Sequence, residues 1–132
     1  MKILKTYPPN YQEIKRIINS PLNAIFSYGE IIYNPEGKEI PEDILYHEKV
    51  HLEQQKKFPG PDIWWTKWIW DKQFRQNQEV EAFALQVQWI KKHINDKAYK
   101  ECLNECVENL SKNYKLDLSL SQAETMIRKF KK

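Results

Sequence analysis

The stretch ILYHEKVHLEQQ, from Ile44 to Gln55, limits what this chain can fold into more than any other. Pro41 followed by Glu42 and Asp43 opens a helix, because proline is tolerated in the first turn and acids there meet the positive end of the helix dipole. The helix should run to about Phe58, where the sequence PGP, Pro59 to Pro61, stops it. On a helical wheel over residues 42 to 58, Lys49, Glu53, Lys56 and Lys57 share one solvated side. The opposite side centres on Ile44, Glu48, His51 and Gln55, with His47 and Phe58 on one edge and Leu45 and Leu52 on the other. The inward face is therefore polar at its middle. Burying an imidazole, a carboxylate and an amide without partners is costly, so such a helix satisfies them in a network or uses them.

The order of these residues points to use. His47 and His51 stand at i and i+4, with β-carbons about 5–6 Å apart, so two imidazoles can converge on one ion. Glu48 is turned about a hundred degrees from His47 and can reach a metal-bound water without being a ligand. This is the physical content of HExxH: two zinc ligands and, between them, a base for a metal-polarised water.

Two histidines alone bind zinc weakly, and a catalytic site needs a third protein donor. A histidine six residues beyond His51 would supply one, but Lys57 stands there. The remaining histidine, His93, lies near the far end of a long helix expected from about Phe74 to Ile94. RQNQEVEAFALQ within that helix offers Glu79 and Glu81, which point about two hundred degrees apart, so only one can face the site. Val80, Phe83, Ala84, Val87, Ile90 and Ile94 form the main apolar stripe, and Glu79 borders it beside Phe83 and Gln86. Glu79 is preferred as ligand over Glu81, although a second apolar patch of Ala82, Leu85 and Trp89 blurs the choice.

Elsewhere the chain reads as short elements around helices. Asn10 can cap a helix over YQEIKRIINS that Pro21 ends. NAIFSYGEIIYN reads as one bulged strand or two short strands broken at Gly29, and NPEGKE as a turn. Asp62 can cap IWWTKWIW, whose Trp64, Trp65 and Trp68 fall at helical spacing and read as core. Cys102 and Cys106 share an apolar stripe with Leu103, Val107 and Leu110, and read as buried thiols rather than ligands. A last helix opens at Ser121 with Glu124 as a capping box. The class is α+β: a mostly helical single domain, residues 1–132, with a small early sheet.

HEKVHLEQQ followed by EVEAFALQ resembles the gluzincin class of zinc metallopeptidases, which carry HExxH on one helix and a glutamate in an ExxA context on a later one. It is most similar to small single-domain members, including minimal gluzincins and peptidases carried by phages and bacteria. The resemblance covers about Phe26 to Gln88. It implies a zincin-like fold, with His47, His51 and Glu79 as Zn2+ ligands and Glu48 as general base. It also implies a strand before the HExxH helix, within AIFSYGEIIYN, whose edge aligns an extended substrate. Many relatives place an aspartate four residues after the ligand glutamate to support a histidine; Phe83 occupies that place here.

The expected function is zinc-dependent hydrolysis of peptide bonds in a peptide or protein substrate. The alternative is a catalytically silent adaptor on the same scaffold, with or without zinc, that binds a protein partner. A di-iron carboxylate bundle would need a second ExxH, and Ile90 stands three residues before His93. Tyr28, Tyr33, Tyr46, Arg75, His93, Tyr99 and Tyr114 are unranked candidates to stabilise an oxyanion. Gln55 either supports the ligand shell or ties down a loop. Lys and Arg exceed Asp and Glu by 21 to 18, too weak and scattered a surplus for a nucleic-acid partner. Ile3 and Leu4 are too short an apolar segment for a signal peptide or membrane span, so a cytoplasmic location is expected.

Overall fold

The computed structural model describes residues 1–18 and 24–131. Pro21, expected to end the first helix, lies outside the described residues. The fold is α+β and mostly helical, with a three-stranded sheet near the amino terminus. β1 (Lys2–Leu4) was not anticipated; it runs parallel to β3 with Ile3 opposite Ile32. Its three residues are all exposed, so it has no apolar period to read. β2 (Phe26–Tyr28) and β3 (Ile31–Tyr33) form an antiparallel hairpin, and the sheet order is β1-β3-β2. The hairpin turns at Gly29, whose φ of +70° lies in the left-handed region that glycine enters without a Cβ clash. Of the two readings, two strands broken at Gly29 is the one observed.

α1 (Tyr11–Ile14) is a single turn. Asn10 starts it through its backbone carbonyl, which accepts from Glu13 and Ile14, and its side chain makes no capping bond. α2 (Glu42–Gln55) ends at Gln55 rather than Phe58, and α3 (Pro61–Trp70) follows. Asp62, expected to cap α3, lies inside it; Gly60 holds the cap position and Pro61 the first turn. Proline needs no partner for a missing N–H, so α3 starts without a side-chain cap.

α4 (Lys72–His93) begins two residues earlier than expected because Asp71 accepts from the Phe74 amide. α5 (Asp96–Lys112) is capped by Asn95, and α6 (Leu120–Lys129) by a box of Ser119 and Gln122 rather than Ser121 and Glu124. Both serines precede suitable partners three residues on, so spacing alone could not separate them.

Three apolar clusters among the described residues hold these elements together, two of them large. Trp64, Trp65 and Trp68 pack with Ile14, Phe26 and Tyr33 between α3 and the sheet. Phe83, Ala84 and Val87 of α4 pack with Cys102, Leu103, Cys106, Val107 and Leu110 of α5 and with Ala123 and Ile127 of α6. The cysteines are buried free thiols, as their stripe implied. α4 is thus the central helix, with α5 and α6 on one side and α2 on the other. That position explains the second apolar patch: Ala82 and Leu85 meet Val50 and Tyr46 of α2. Among the described residues no helix is long and apolar enough to cross a membrane.

Candidate metal centre

The polar face of α2 turns into the seam with α4, as the wheel required. His47, Glu48, His51, Gln54 and Gln55 are buried, while Lys49, Glu53, Lys56 and Lys57 are exposed. The Nε2 atoms of His47 and His51 lie 3.1 Å apart. Glu79 of α4 reaches both: Oε2 is 3.1 Å from His51 Nε2, and Oε1 is 3.6 Å from His47 Nε2. One ligand atom from each of the three buried residues lies within 4.8 Å of the others, so the group is able to hold a metal ion.

The residues fit such an ion on two counts. Tetrahedral zinc with bonds of about 2.0–2.1 Å keeps its donors roughly 3.3 Å apart, close to the observed spacings. Glu79 Oε1 is buried without a hydrogen-bond partner, an uncompensated acceptor that a cation would satisfy. Its other oxygen accepts from Trp68 Nε1 at 3.0 Å.

Glu81 is not part of this group. Its carboxylate accepts from Gln54 Nε2 at 2.7 Å, away from the histidine nitrogens that face Glu79. Glu79 borders the stripe that packs inward and Glu81 does not, the distinction on which the sequence preference rested.

The charges are mutually dependent. Burial pulls the His51 pKa down, but the Glu79 carboxylate beside it, helped by Glu48 and Gln54, raises it to about 9. Burial likewise raises Glu79, yet His51 and His47 hold it well below the usual carboxylate range. Glu48 differs: burial pushes its pKa up, the two imidazoles only partly oppose this, and Glu79 adds to it. A carboxyl raised toward neutrality is better matched to taking and returning a proton.

Glu48 and His47 line a cavity of about 340 Å3 whose other walls include Ile25, Ile44, Phe83 and Tyr114. Of the seven oxyanion candidates, Tyr114 is the one that lines it. Burial, then the Glu79 and Glu48 charges, keeps its phenol protonated well above the usual range. Arg75 is spent on structure: its guanidinium donates to the carbonyls of Trp68, Ile69, Tyr114 and Lys115. His93 is exposed and stacks on Trp89, and Tyr46 stacks on the same indole. Tyr33 is built into the core, with Tyr28 packed against it. Tyr99 sits under the Lys91 ammonium.

Several supporting residues were missed. His47 Nδ1 pairs with Gln86 Oε1 at 3.0 Å, and His51 Nδ1 with Gln54 Oε1 at 2.7 Å. Phe83 stands where the gluzincin resemblance would put an aspartate, and its ring packs 4.6 Å from the His47 ring. The polar support comes instead from Gln86, nearly one turn further along α4. Gln55 ties down a loop: it accepts from the Gly29 amide and donates to the Ser27 carbonyl.

The Ser27 carbonyl also accepts from Trp65 Nε1 at 2.9 Å. The β2 edge expected to align an extended substrate is therefore sealed at its centre by two side chains. The helical wheel placed Gln55 inward and did not single out Gln54, which is the amide that faces His51.

Comparison of the chain with protein-family models, curated proteins and solved structures returns no match. What bears on function is the geometry of the site itself.

Proposed function

We propose that this protein is a minimal zinc-dependent peptidase of gluzincin type, with His47, His51 and Glu79 as ligands and Glu48 as general base. The observation that carries the reading is a His-His-Glu donor set from two helices, with the Glu48 carboxyl in the adjoining cavity. Bound zinc would supply Lewis acidity toward a water and a scissile carbonyl. Glu48 would be the base toward that water and the acid toward the leaving amine. Tyr114, kept neutral by its surroundings, donates a hydrogen bond to the carbonyl oxygen as it gains charge. Purified protein should carry about one zinc per chain, as a three-ligand site requires. Glu48→Gln should keep the metal and lose hydrolysis across a peptide library; native protein that takes up no zinc would end the proposal.

The sealed β2 edge favours a second reading, a zinc-binding adaptor without turnover. Trp70, at the end of α3, is 73% exposed and offers a partner an apolar contact. This version prevails if wild-type protein binds zinc but cleaves no member of the library.

A further inference from the structure

We infer that two carboxylate–amide–imidazole relays, Asp43–Gln86–His47 and Glu81–Gln54–His51, fix the tautomer and orientation of both histidines. The inference builds on the zinc reading above and assigns Asp43, Gln54, Glu81 and Gln86 as positioning residues. In each relay the middle amide is held at both ends. Gln86 Nε2 donates to Asp43 Oδ2 at 2.8 Å, and Gln54 Nε2 donates to Glu81 Oε1 at 2.7 Å. The second Gln54 proton has its own acceptor in the Gln78 carbonyl, 3.0 Å away.

Direction follows from donor chemistry. An ionised carboxylate only accepts, so each amide must turn its NH2 toward its acid and its carbonyl oxygen toward the imidazole. A carbonyl oxygen also only accepts, so the facing Nδ1 must carry the proton. Nε2 of each ring is the atom turned to the ligand cluster. The acids thus select the ligating nitrogen without touching either histidine. Without Asp43, Gln86 could flip, present NH2 to Nδ1, and favour the tautomer whose Nε2 lone pair is blocked; Glu81 adds to the hold that the Gln78 carbonyl already has on Gln54.

The two relays are exchanged across the seam. Asp43 and His47 belong to α2 and bracket Gln86 of α4; Gln54 and His51 belong to α2 and are anchored by Glu81 of α4. Each therefore also reports that the helices are docked in register. A neutral amide on Nδ1 leaves the imidazole less basic than a carboxylate partner would. This is what replaces the aspartate that Phe83 excludes.

The test uses the full chain and has two readouts. Zinc affinity is measured by competition with a chromophoric chelator for wild type, Gln86→Leu, Gln54→Leu, Asp43→Ala and Glu81→Ala. Outer-shell losses typically weaken metal binding ~10–100-fold, and this is expected for the two glutamine variants. The acid variants, which touch no histidine, should also bind more weakly, by several-fold. In parallel, imidazole 15N spectra of metal-free wild type should show His47 protonated on Nδ1, and Asp43→Ala should add the Nε2-protonated form.

Wild-type His47 protonated on Nε2 alone would overturn the relay without recourse to any variant. So would folded acid variants that keep both wild-type zinc affinity and the wild-type tautomer. If wild type takes up no zinc, the peptidase reading falls, while the metal-free spectra still decide the relay.

Discussion

The two sides of α4 are built on opposite terms. Toward α5 and α6 it presents Phe83, Ala84 and Val87 to an apolar cluster that includes Leu110, Ala123 and Ile127. Toward α2 it presents Glu79, Gln86 and Glu81 to two histidines, a carboxyl and an amide. An apolar contact is non-directional and gains roughly 25 cal/mol for each Å2 removed from water, so that side tolerates small shifts. A buried polar contact is directional, and an unmade partner costs about 1–3 kcal/mol. The apolar side supplies stability, and the polar side draws on it to hold buried polar groups in place.

The widest separation between the sides should come from Glu48→Gln. Proton transfer by a positioned base is worth ~10²–10⁴-fold, so turnover should fall by that factor in a steady-state peptide assay. Zinc content should be unchanged. Stability should hold or rise, because the substitution removes a carboxyl whose charged form burial disfavours. A variant that both unfolds and loses zinc would show that the polar seam is structural instead.

Leu110→Ala is the converse change. Leu110 is fully buried in the apolar cluster, and its truncation should cost ~2–5 kcal/mol in denaturant unfolding. Zinc affinity of the folded fraction should match wild type. Loss of affinity there would mean that the two sides of α4 are not independent.

If the proposed zinc is bound, removing it should act on the polar side alone. Chelation should lower stability by about 3 kcal/mol if zinc had stood at a hundredfold above its Kd. The metal-free and zinc-bound forms should then respond to pH in opposite directions. In the metal-free protein His51 is raised to about 9 from its ordinary 6.5. A raised imidazole contributes stability that is fully present below the unfolded value and is lost as pH climbs through the folded one. Metal-free stability should therefore decline between about pH 6.5 and 9. Zinc binding should strengthen over the same interval, because the metal displaces the proton from His51. Parallel slopes for the two forms in thermal melts would disprove the competition.

The smallest effect is expected at a residue belonging to neither side. Trp70 is exposed, and Trp70→Ser should change unfolding free energy by no more than about 0.5 kcal/mol. It should leave zinc content intact. A large loss of stability would show that Trp70 is packed in solution.

The site was more legible in sequence than its supports were. His47, Glu48 and His51 could be placed from spacing, because a helix fixes the angle between neighbours within one turn. Glu79 could be preferred over Glu81 because only one of two residues two positions apart can border the same stripe. Trp64, Trp65 and Trp68 were readable as core for the same reason. β1 was not, since three exposed residues carry no periodic burial signal, and its parallel partner lies far along the chain. The cap of α6 was misplaced by two residues because Ser119 and Ser121 offer equivalent chemistry locally. Phe83 offers His47 no polar partner, and Gln86, three residues on, supplies one.

The amino-acid order alone determined where the helices from α2 onward lie, the polar face of α2 and the pairing of His47 with His51 on it. These depend on angles and capping within a few residues, where the backbone leaves little choice. Tertiary structure alone decided which amide faced which histidine, that Glu81 anchors rather than ligates, and that Gln55 and Trp65 close the β2 edge. Each of those is a hydrogen bond between segments remote in sequence. Such bonds are selected by how α2, α4 and the hairpin dock, which no local pattern encodes.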